Sequence, residues 1–424
     1  MTETTEKLSP TVVAPEVEFD HHSLEYANAW PEITRDMRSK CPVSHSSAWE
    51  GFYAVTSFEA LADVIRDDAT FSSARSVPGV DPGRAIGIMI PPTPVGTVPI
   101  DLDPPHNRPY RRLLDPLFSP KASAAWEPFI RESVTACIDT FIEAGQGDLV
   151  LDVANPVPGL LTCKLMGLPL ADWRYYAEPM HEVVYTLPDT PEMDAVQAKV
   201  LVMFGKIFEA VEARRTDPQD DLISRLLAAE IDGAPIPDNI LIEILFLVLI
   251  GGVDTTTSLI ANALRWLADH PDERDRLRED PSLMPKAREE MLRYFTPTQG
   301  LARTVTRDTD VAGVPMTVGD RIFMSFAAAN RDPAVFPDPD ALLLERTPNT
   351  HTSFGLGVHR CLGSNIARLE FDIVVQEVLR RMPDYVIDEA GSKRYQTGGV
   401  VNGWERMPCT FTPGSKVGGT SLKL

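Results

Sequence analysis

Residues 353–370, SFGLGVHRCLGSNIARLE, restrict this chain more than any other stretch. They set Phe354, Gly357, Cys361 and Gly363 in the spacing F-x-x-G-x-x-x-C-x-G, ahead of a helical pattern that starts near Cys361 and reaches about Arg381. A cysteine in a Gly-rich turn is often no more than a small buried residue. Here two glycines before Cys361 and one after it let the backbone pass close to something broad and flat. The N–H groups of such a turn can point at the sulfur, and the positive end of a helix beginning at Cys361 favours its thiolate. A thiolate held this way is a soft ligand suited to haem iron.

The second constraint is LFLVLIGGVDTTTSLIANALRWL, residues 245–267. Its spacing predicts a buried helix. Yet Gly251 and Gly252 interrupt the most apolar part, where each costs ~1 kcal/mol against Ala, and Asp254 and Thr255 follow at once. One explanation is close helix–helix packing at the glycines, with Asp254 in a structural ion pair. The other is a groove where a flat cofactor and a small ligand approach the backbone. In that arrangement Thr255 back-bonds to the Gly251 carbonyl and bends the helix, and its hydroxyl faces the groove beside the carboxylate. An acid beside an alcohol is a proton-delivery pair. A third segment, EMLR at 290–293, puts an acid and a base on one helix face. The same E-x-x-R occurs at Glu32/Arg35, Glu212/Arg215, Glu273/Arg276 and Glu377/Arg380. A surface ion pair is the default, and only its place between the Asp-Thr helix and the Cys turn singles it out.

With 61 acidic and 40 basic residues the net charge is −21, which argues against a general nucleic-acid binder. The five cysteines (Cys41, Cys137, Cys163, Cys361, Cys409) form no CxxC pair. That speaks against zinc and a disulfide framework, and for a reducing compartment. Residues 1–20 show neither the basic nor the apolar segment of a signal peptide. The longest apolar stretch, 240–253, contains Glu243 and falls short of the ~20 residues that span a bilayer. The expectation is a cytoplasmic protein without a membrane segment. Residues 76–102 are rich in Pro and Gly and largely apolar, a long loop of the kind that is often functional. Helical patterns occupy Phe58–Arg66, dominate from 108 to about 267 and return at 285–295, and strand-like segments lie at 51–55, 301–306, 314–315 and 321–324. The fold class expected is mainly α with small β-sheets (α+β), as one unit over 21–412 between flexible tails at 1–20 and 413–424.

Together these segments resemble the cytochromes P-450, the haem-thiolate monooxygenases. The resemblance spans about residues 20–412. It rests on DPPHNRPYRR (103–112), GGVDTT (251–256), EMLR (290–293) and FGLGVHRCLG (354–363), in the family's order. AANRDPAVFPDP (328–339) is similar to the family's approach to the Cys turn. GGVDT is nearest to soluble bacterial members, including camphor-type hydroxylases. The resemblance implies the cytochrome P-450 fold and haem b (iron protoporphyrin IX), with Cys361 as the axial thiolate. It implies Arg111, Arg303 and His359 on the haem propionates, and Gly252, Phe354 and Gly363 bordering the haem. Asn107 stands where many members carry a His, whereas His106 lies one residue off and is read as an exposed helix-start residue. Asp254 and Thr255 become the acid–alcohol pair, and Glu290, Arg293 and Arg346 a structural cluster.

On this resemblance the protein is a monomer that inserts one oxygen atom of O2 into a small to mid-sized, mostly apolar substrate. Electrons come from NAD(P)H through a reductase and an iron-sulfur ferredoxin. A peroxide-driven peroxygenase and a non-catalytic haem sensor are the alternatives. Asp254-Thr255 argues against the first and the apolar 76–102 loop against the second. The resemblance places Val95, Thr97, Leu247, Ile250, Gln299, Leu301, Val400 and Val401 in the substrate pocket. Most are aliphatic, and residues 76–102 contain no Phe, Tyr or Trp, which points to a terpenoid or related alicyclic substrate. Arg84 either anchors a carboxylate or lies in solvent. Arg108, Arg112, Lys121, Arg360 and Arg368 are candidates for a basic patch that docks an acidic ferredoxin.

Overall fold

The computed structural model describes residues 12–81 and 86–422, so Arg84 lies outside the described residues. Amphipathic spacing writes the helices. α1 (Leu24–Lys40) buries Tyr26, Trp30, Thr34 and Met37 on one face, takes a cap from Ser23 and kinks at Ala29, just before Pro31. α2 (Phe58–Arg66) is capped by Ser57 and buries Leu61, Val64 and Ile65. After the long loop come α3 (Asn107–Leu114), α4 (Pro120–Ala124), α5 (Glu127–Asp139), α6 (Pro156–Met166), α7 (Trp173–Tyr185), α8 (Pro191–Thr216) and α9 (Leu222–Leu227). The apolar centre of the chain forms α10 (Asp238–Gly252) and α11 (Asp254–Asp269), and the remaining helices are α12 (Pro271–Glu279), α13 (Met284–Phe295), α14 (Phe326–Ala329) and α15 (Ser364–Arg381).

α10 and α11 run through the interior, with α6 and α7 packed on both and α13 and α15 on α11. Read as one helix, 238–269 is long and apolar enough to cross a membrane, an 18-residue stretch of it having a mean hydropathy of 1.9, but more than half of that stretch is buried against other elements. The apolar run is thus longer than the 240–253 stretch suggests. Thr256, Thr257, Ser258 and Asn262 extend it because they are buried, and Thr257, Ser258 and Asn262 bond to backbone carbonyls of Ala154 and Asn402.

A six-stranded sheet packs beside the helices in the order Glu16–Val17, Val43–Ser46, Phe52–Val55, Arg321–Ser325, Gly300–Val305, Phe71–Ser72. Phe323 stands opposite Ala54 on one side and Ala302 on the other, so the middle of the sheet joins the two ends of the chain. A smaller sheet joins Val386–Ile387, Pro408–Thr410 and Gln146–Asp148. The fold is mainly helical with small sheets.

Three boundaries move. Part of the expected 1–20 tail is ordered, because Glu16–Val17 pairs in parallel with His45 and Ser46. The expected 413–424 tail is held down as far as Ser421. Gly414 N–H donates to Ile142 O at 3.0 Å, Val417 and Gly418 N–H donate to Asp139 at 3.1 and 2.8 Å, and Ser421 N–H donates to Glu132 at 2.7 Å. Carboxylates on α5 satisfy backbone donors that would otherwise need water. The last long helix starts at Ser364, so Cys361 lies in the turn before it.

Candidate active site

The Cys361 turn is built by backbone hydrogen bonds. Cys361 N–H donates to Phe354 O at 2.8 Å and Gly355 N–H to Thr352 O at 2.7 Å. Gly355 and Gly357 both take φ of 66°, which side chains rarely adopt, so the two glycines before the cysteine are conformational requirements. The Phe354 ring packs under the Arg368 guanidinium, 4.4 Å from its centroid. Cys361 is enclosed by protein yet keeps an exposed surface, as a residue lining an internal pocket does. Burial pushes its thiol up, while the Gly363 N–H and the charges of Arg360, Arg111 and Arg368 pull it back toward the thiolate. The first-turn dipole acts through Gly363, not through a helix beginning at the cysteine itself.

The second wall is the α10–α11 junction. Around this junction Leu247, Val248, Gly251, Gly252 and Thr255 keep accessible surface in one stripe at helical spacing, which Glu243 begins one turn earlier. A Cβ placed on Gly251 would meet open space, whereas one on Gly252 would lie 2.8 Å from Thr162 Oγ1 of α6. Gly252, expected to border the haem, keeps some accessible surface but has no room for a side chain beside Thr162, whereas Gly251 faces open space. The helix turns ~100° per residue, which gives adjacent glycines different neighbours. Thr255 Oγ1 donates to Gly251 O at 2.8 Å, and the helix breaks at Val253. Asp254 does not share the Thr255 face. It is fully buried, with Oδ1 2.7 Å from His181 Nδ1 and 3.4 Å from the Tyr395 hydroxyl.

Near the Cys turn, basic charge collects around Arg303, which Asp103 and Asp68 reach through space and not by a hydrogen bond. Arg303 is 4% exposed, and its Nε and Nη1 have no hydrogen-bond partner. Burial lowers its pKa to about 10. Burial, then the Arg303 and Arg111 charges, push His359 down to about 3. His359 Nε2 lies 3.3 Å from Ser73 Oγ. Asn107 is buried with an unpartnered Oδ1, while His106 is exposed at the start of α3. A buried guanidinium with no carboxylate hydrogen-bonded to Nε or Nη1 is costly. This set fits a cofactor that brings two carboxylates of its own beside a thiolate ligand, which is what haem b carries. Arg111 is already engaged, donating to Arg360 O at 3.1 Å and facing Asp115 at 3.0 Å.

The residues expected in the substrate pocket divide. Val95, Leu247, Ile250, Leu301 and Val400 are partly exposed, whereas Thr97, Gln299 and Val401 are buried. The Gln299 amide donates to Thr296 O at 2.6 Å, so it braces the backbone, and only its unpartnered Oε1 is left for another group. Val401 packs with Val184 and Tyr395. Glu290, Arg293 and Arg346 come together in the core. Arg293 donates to both Glu290 oxygens at 2.7 and 2.8 Å, and Arg346 Nε lies 3.0 Å from each. His181, Tyr395, Ser73 and Thr162 had no signal in local sequence, because each meets its partner through the tertiary fold.

The comparisons with known proteins agree with this geometry. The family model described as Cytochrome P450 matches residues 187–383. The steroid C26-monooxygenase of Mycobacterium tuberculosis is 31% identical over 409 residues, covering 96% of this chain and 99% of that protein. The chain belongs to the cytochrome P450 family. The erythromycin C-12 hydroxylase of Saccharopolyspora erythraea is 34% identical over 382 residues, covering 88% of this P450 and 92% of that one. Among solved structures, Mycobacterium marinum cytochrome P450 CYP268A2 in complex with pseudoionone superposes with a TM-score of 0.85 at 26% identity, covering 94% of this chain and 100% of that one. A mutant of P450 EryK in complex with erythromycin B gives 0.82 at 29%, covering 94% and 99%. The protein is a haem-thiolate monooxygenase, and the family implies haem b.

Proposed function

We propose that this P450 hydroxylates a compact, mostly aliphatic substrate in the cytoplasm, as a monomer, with electrons that reach it from NAD(P)H through a reductase and a ferredoxin. The observation that carries the reading is the Leu247–Gly251–Thr255 stripe, a mostly aliphatic surface ending in a hydroxyl. Burying aliphatic surface there is worth ~25 cal/mol per Å². Bound haem supplies oxygen activation. Cys361 would hold its iron, and Arg303, Arg111, His359 and Asn107 its propionates. Leu247, Ile250, Leu301, Val95 and Val400 orient the substrate and exclude water. Thr255 Oγ1 and the Asp254 carboxyl hold and pass protons into the groove, the role an acid–alcohol pair suits. The related steroid C26-monooxygenase supports an apolar, alicyclic substrate.

Electron supply is supported by cations without ion-pair partners in a chain of net charge −21. Arg108, Arg112, Lys121 and Arg360 are exposed and unpaired among the described residues. Arg368, expected in the same patch, is committed to Glu289 at 2.7 and 2.8 Å. An acidic ferredoxin docked there binds more weakly as salt rises. The test is turnover with NADH, reductase and ferredoxin on compounds selected by their shift of the haem toward high spin. Hydroxylated product matching NADH consumed supports the reading. Turnover with peroxide alone would overturn the electron route, and a spin shift only with charged or flat aromatic compounds would overturn the substrate class.

A further inference from the structure

Asp254 and Thr255 are chain neighbours that face different ways. Thr255 edges the groove, while Asp254 is buried on the side toward α7. Asp254 Oδ1 meets His181 Nδ1 at 2.7 Å and the Tyr395 hydroxyl at 3.4 Å, and that hydroxyl lies 3.2 Å from the same His181 nitrogen. Asp254 Oδ2 is buried with no hydrogen bond at all. An orphaned oxygen on a fully buried acid is expensive unless it has work to do.

We propose that His181 is a positioning residue for Asp254: it pins one carboxylate oxygen, leaves Oδ2 free to pass a proton toward Thr255, and supplies the charge that lets this buried acid release it. The inference rests on the reading of Asp254 and Thr255 as the proton-delivery pair. In the step, the O–H bond at Asp254 Oδ2 breaks, the proton adds to the Thr255 oxygen, and the Thr255 hydroxyl gives up its own proton, the one held on Gly251 O, into the groove. The carboxylate left behind is neutralised by the His181 imidazolium, and a solvent proton reloads it.

The electrostatics favour this arrangement. Burial pushes Asp254 up, and the charge and hydrogen bond of His181 pull it back. Burial opposes a charged His181, but Asp254 outweighs it and the imidazole is held above its ordinary value. Every titratable neighbour of that ring is neutral or acidic. α7 itself brings Tyr185, with ring centroids 5.3 Å apart, and Glu182, which is tied to Lys199. The C-terminal segments bring Tyr395 and Glu405. The Glu405 carbonyl is 3.5 Å from His181 Nε2, and its carboxylate bonds Lys393 at 2.8 Å. α11 brings Asp254 alone. Without the imidazolium, proton release would leave an uncompensated charge in the core.

The test uses the haem-loaded enzyme with ferredoxin and reductase. His181→Gln keeps a neutral donor, and His181→Lys returns a cation. His181→Gln should lower kcat by about tenfold or more, with substrate KM and spin shift unchanged, and should move the alkaline limb of the kcat–pH profile to higher pH. His181→Lys should bring that limb back toward wild type. Infrared spectra of His181→Gln at neutral pH should show a protonated carboxyl band that the double variant with Asp254→Asn lacks. An unmoved limb together with no such band would overturn the role of His181. If Asp254→Asn itself leaves turnover and coupling intact, the acid–alcohol reading fails first and takes this inference with it.

Discussion

Arg293→Ala offers the sharpest test of how this fold is held. Its guanidinium is fully buried, and all five of its N–H groups are used. Two go to Glu290, and three go to the carbonyls of Asn330, Pro339 and Ala341, each at 2.9 Å. Truncation leaves the Asn330 and Pro339 carbonyls without that donor, while Arg346 still donates to Ala341 O at 3.0 Å, and it removes one cation from a carboxylate at 0% exposure. Breaking a buried pair costs about 3–5 kcal/mol. The lower end applies, because Arg346, the Leu343 N–H and the Asn349 amide still reach Glu290. The two orphaned carbonyls add about 1 kcal/mol each, so the loss approaches about 5 kcal/mol, a large part of the ~5–15 kcal/mol that holds a folded protein together.

The assay is thermal unfolding of the haem-loaded protein, followed by far-UV circular dichroism and Soret absorbance together. At about 2 °C per kcal/mol for a large domain, Arg293→Ala should lose about 10 °C or more. Arg293→Lys should fall between, since an ammonium has three donors and no fork. The control is Arg276→Ala. Its Glu273 partner lies at 2.9 Å in the same E-x-x-R spacing, but the side chains are 46% and 36% exposed, so the change should leave the midpoint nearly where it was. Equal losses at Arg293 and Arg276 would refute the argument that burial and carbonyl contacts, not the motif, give the pair its value.

Thr255→Ala should keep haem and substrate binding but divert NADH electrons to peroxide, and an unchanged ratio of product to NADH would make Thr255 merely structural. Arg303→Ala should lower haem retention well below that of Arg307→Ala, whose side chain is 66% exposed, and equal haem content in purified protein would count against the propionate assignment. Burial lowers His21 from 6.5 to about 3, where it and His22 share the Ile90 carbonyl at 2.7 and 2.9 Å. The unfolded chain then binds the extra proton first. Stability is therefore intact above pH 6.5 and falls as pH drops toward 3, by at most about 5 kcal/mol. Denaturant midpoints measured across that range should fall less steeply in His21→Gln.

What the sequence made legible was spacing. The glycines at 355 and 357 announce positive φ, the cysteine sits at a fixed distance from them, and the strands at 300–305 and 321–325 lie within a residue or two of expectation. α1 was not legible, because Pro31 inside it imitates a break. Only the 26–30–34–37 spacing of its buried residues betrays the helix. The C-terminal segment looked free because its polar composition hides the backbone donors that Asp139 and Glu132 collect.

The site itself divides along the same line. A helix advances ~100° per residue, so one pattern of letters assigns adjacent residues to different neighbourhoods, and only packing says which is which. Gly251 faces open space and Gly252 faces Thr162; Thr255 edges the groove and Asp254 meets α7. The partners that settle these phases stand far away in the chain, 73 residues for His181 and 141 for Tyr395. Both explanations of the Gly-Gly-Asp-Thr run are therefore partly met. Gly252 and Asp254 answer to packing and a buried polar pair, and Gly251 and Thr255 answer to the groove. On the proposed reading, Asp254 and Thr255 tie the His181 side to the groove as neighbours at the start of α11, so a change at His181 acts on the groove without touching the substrate.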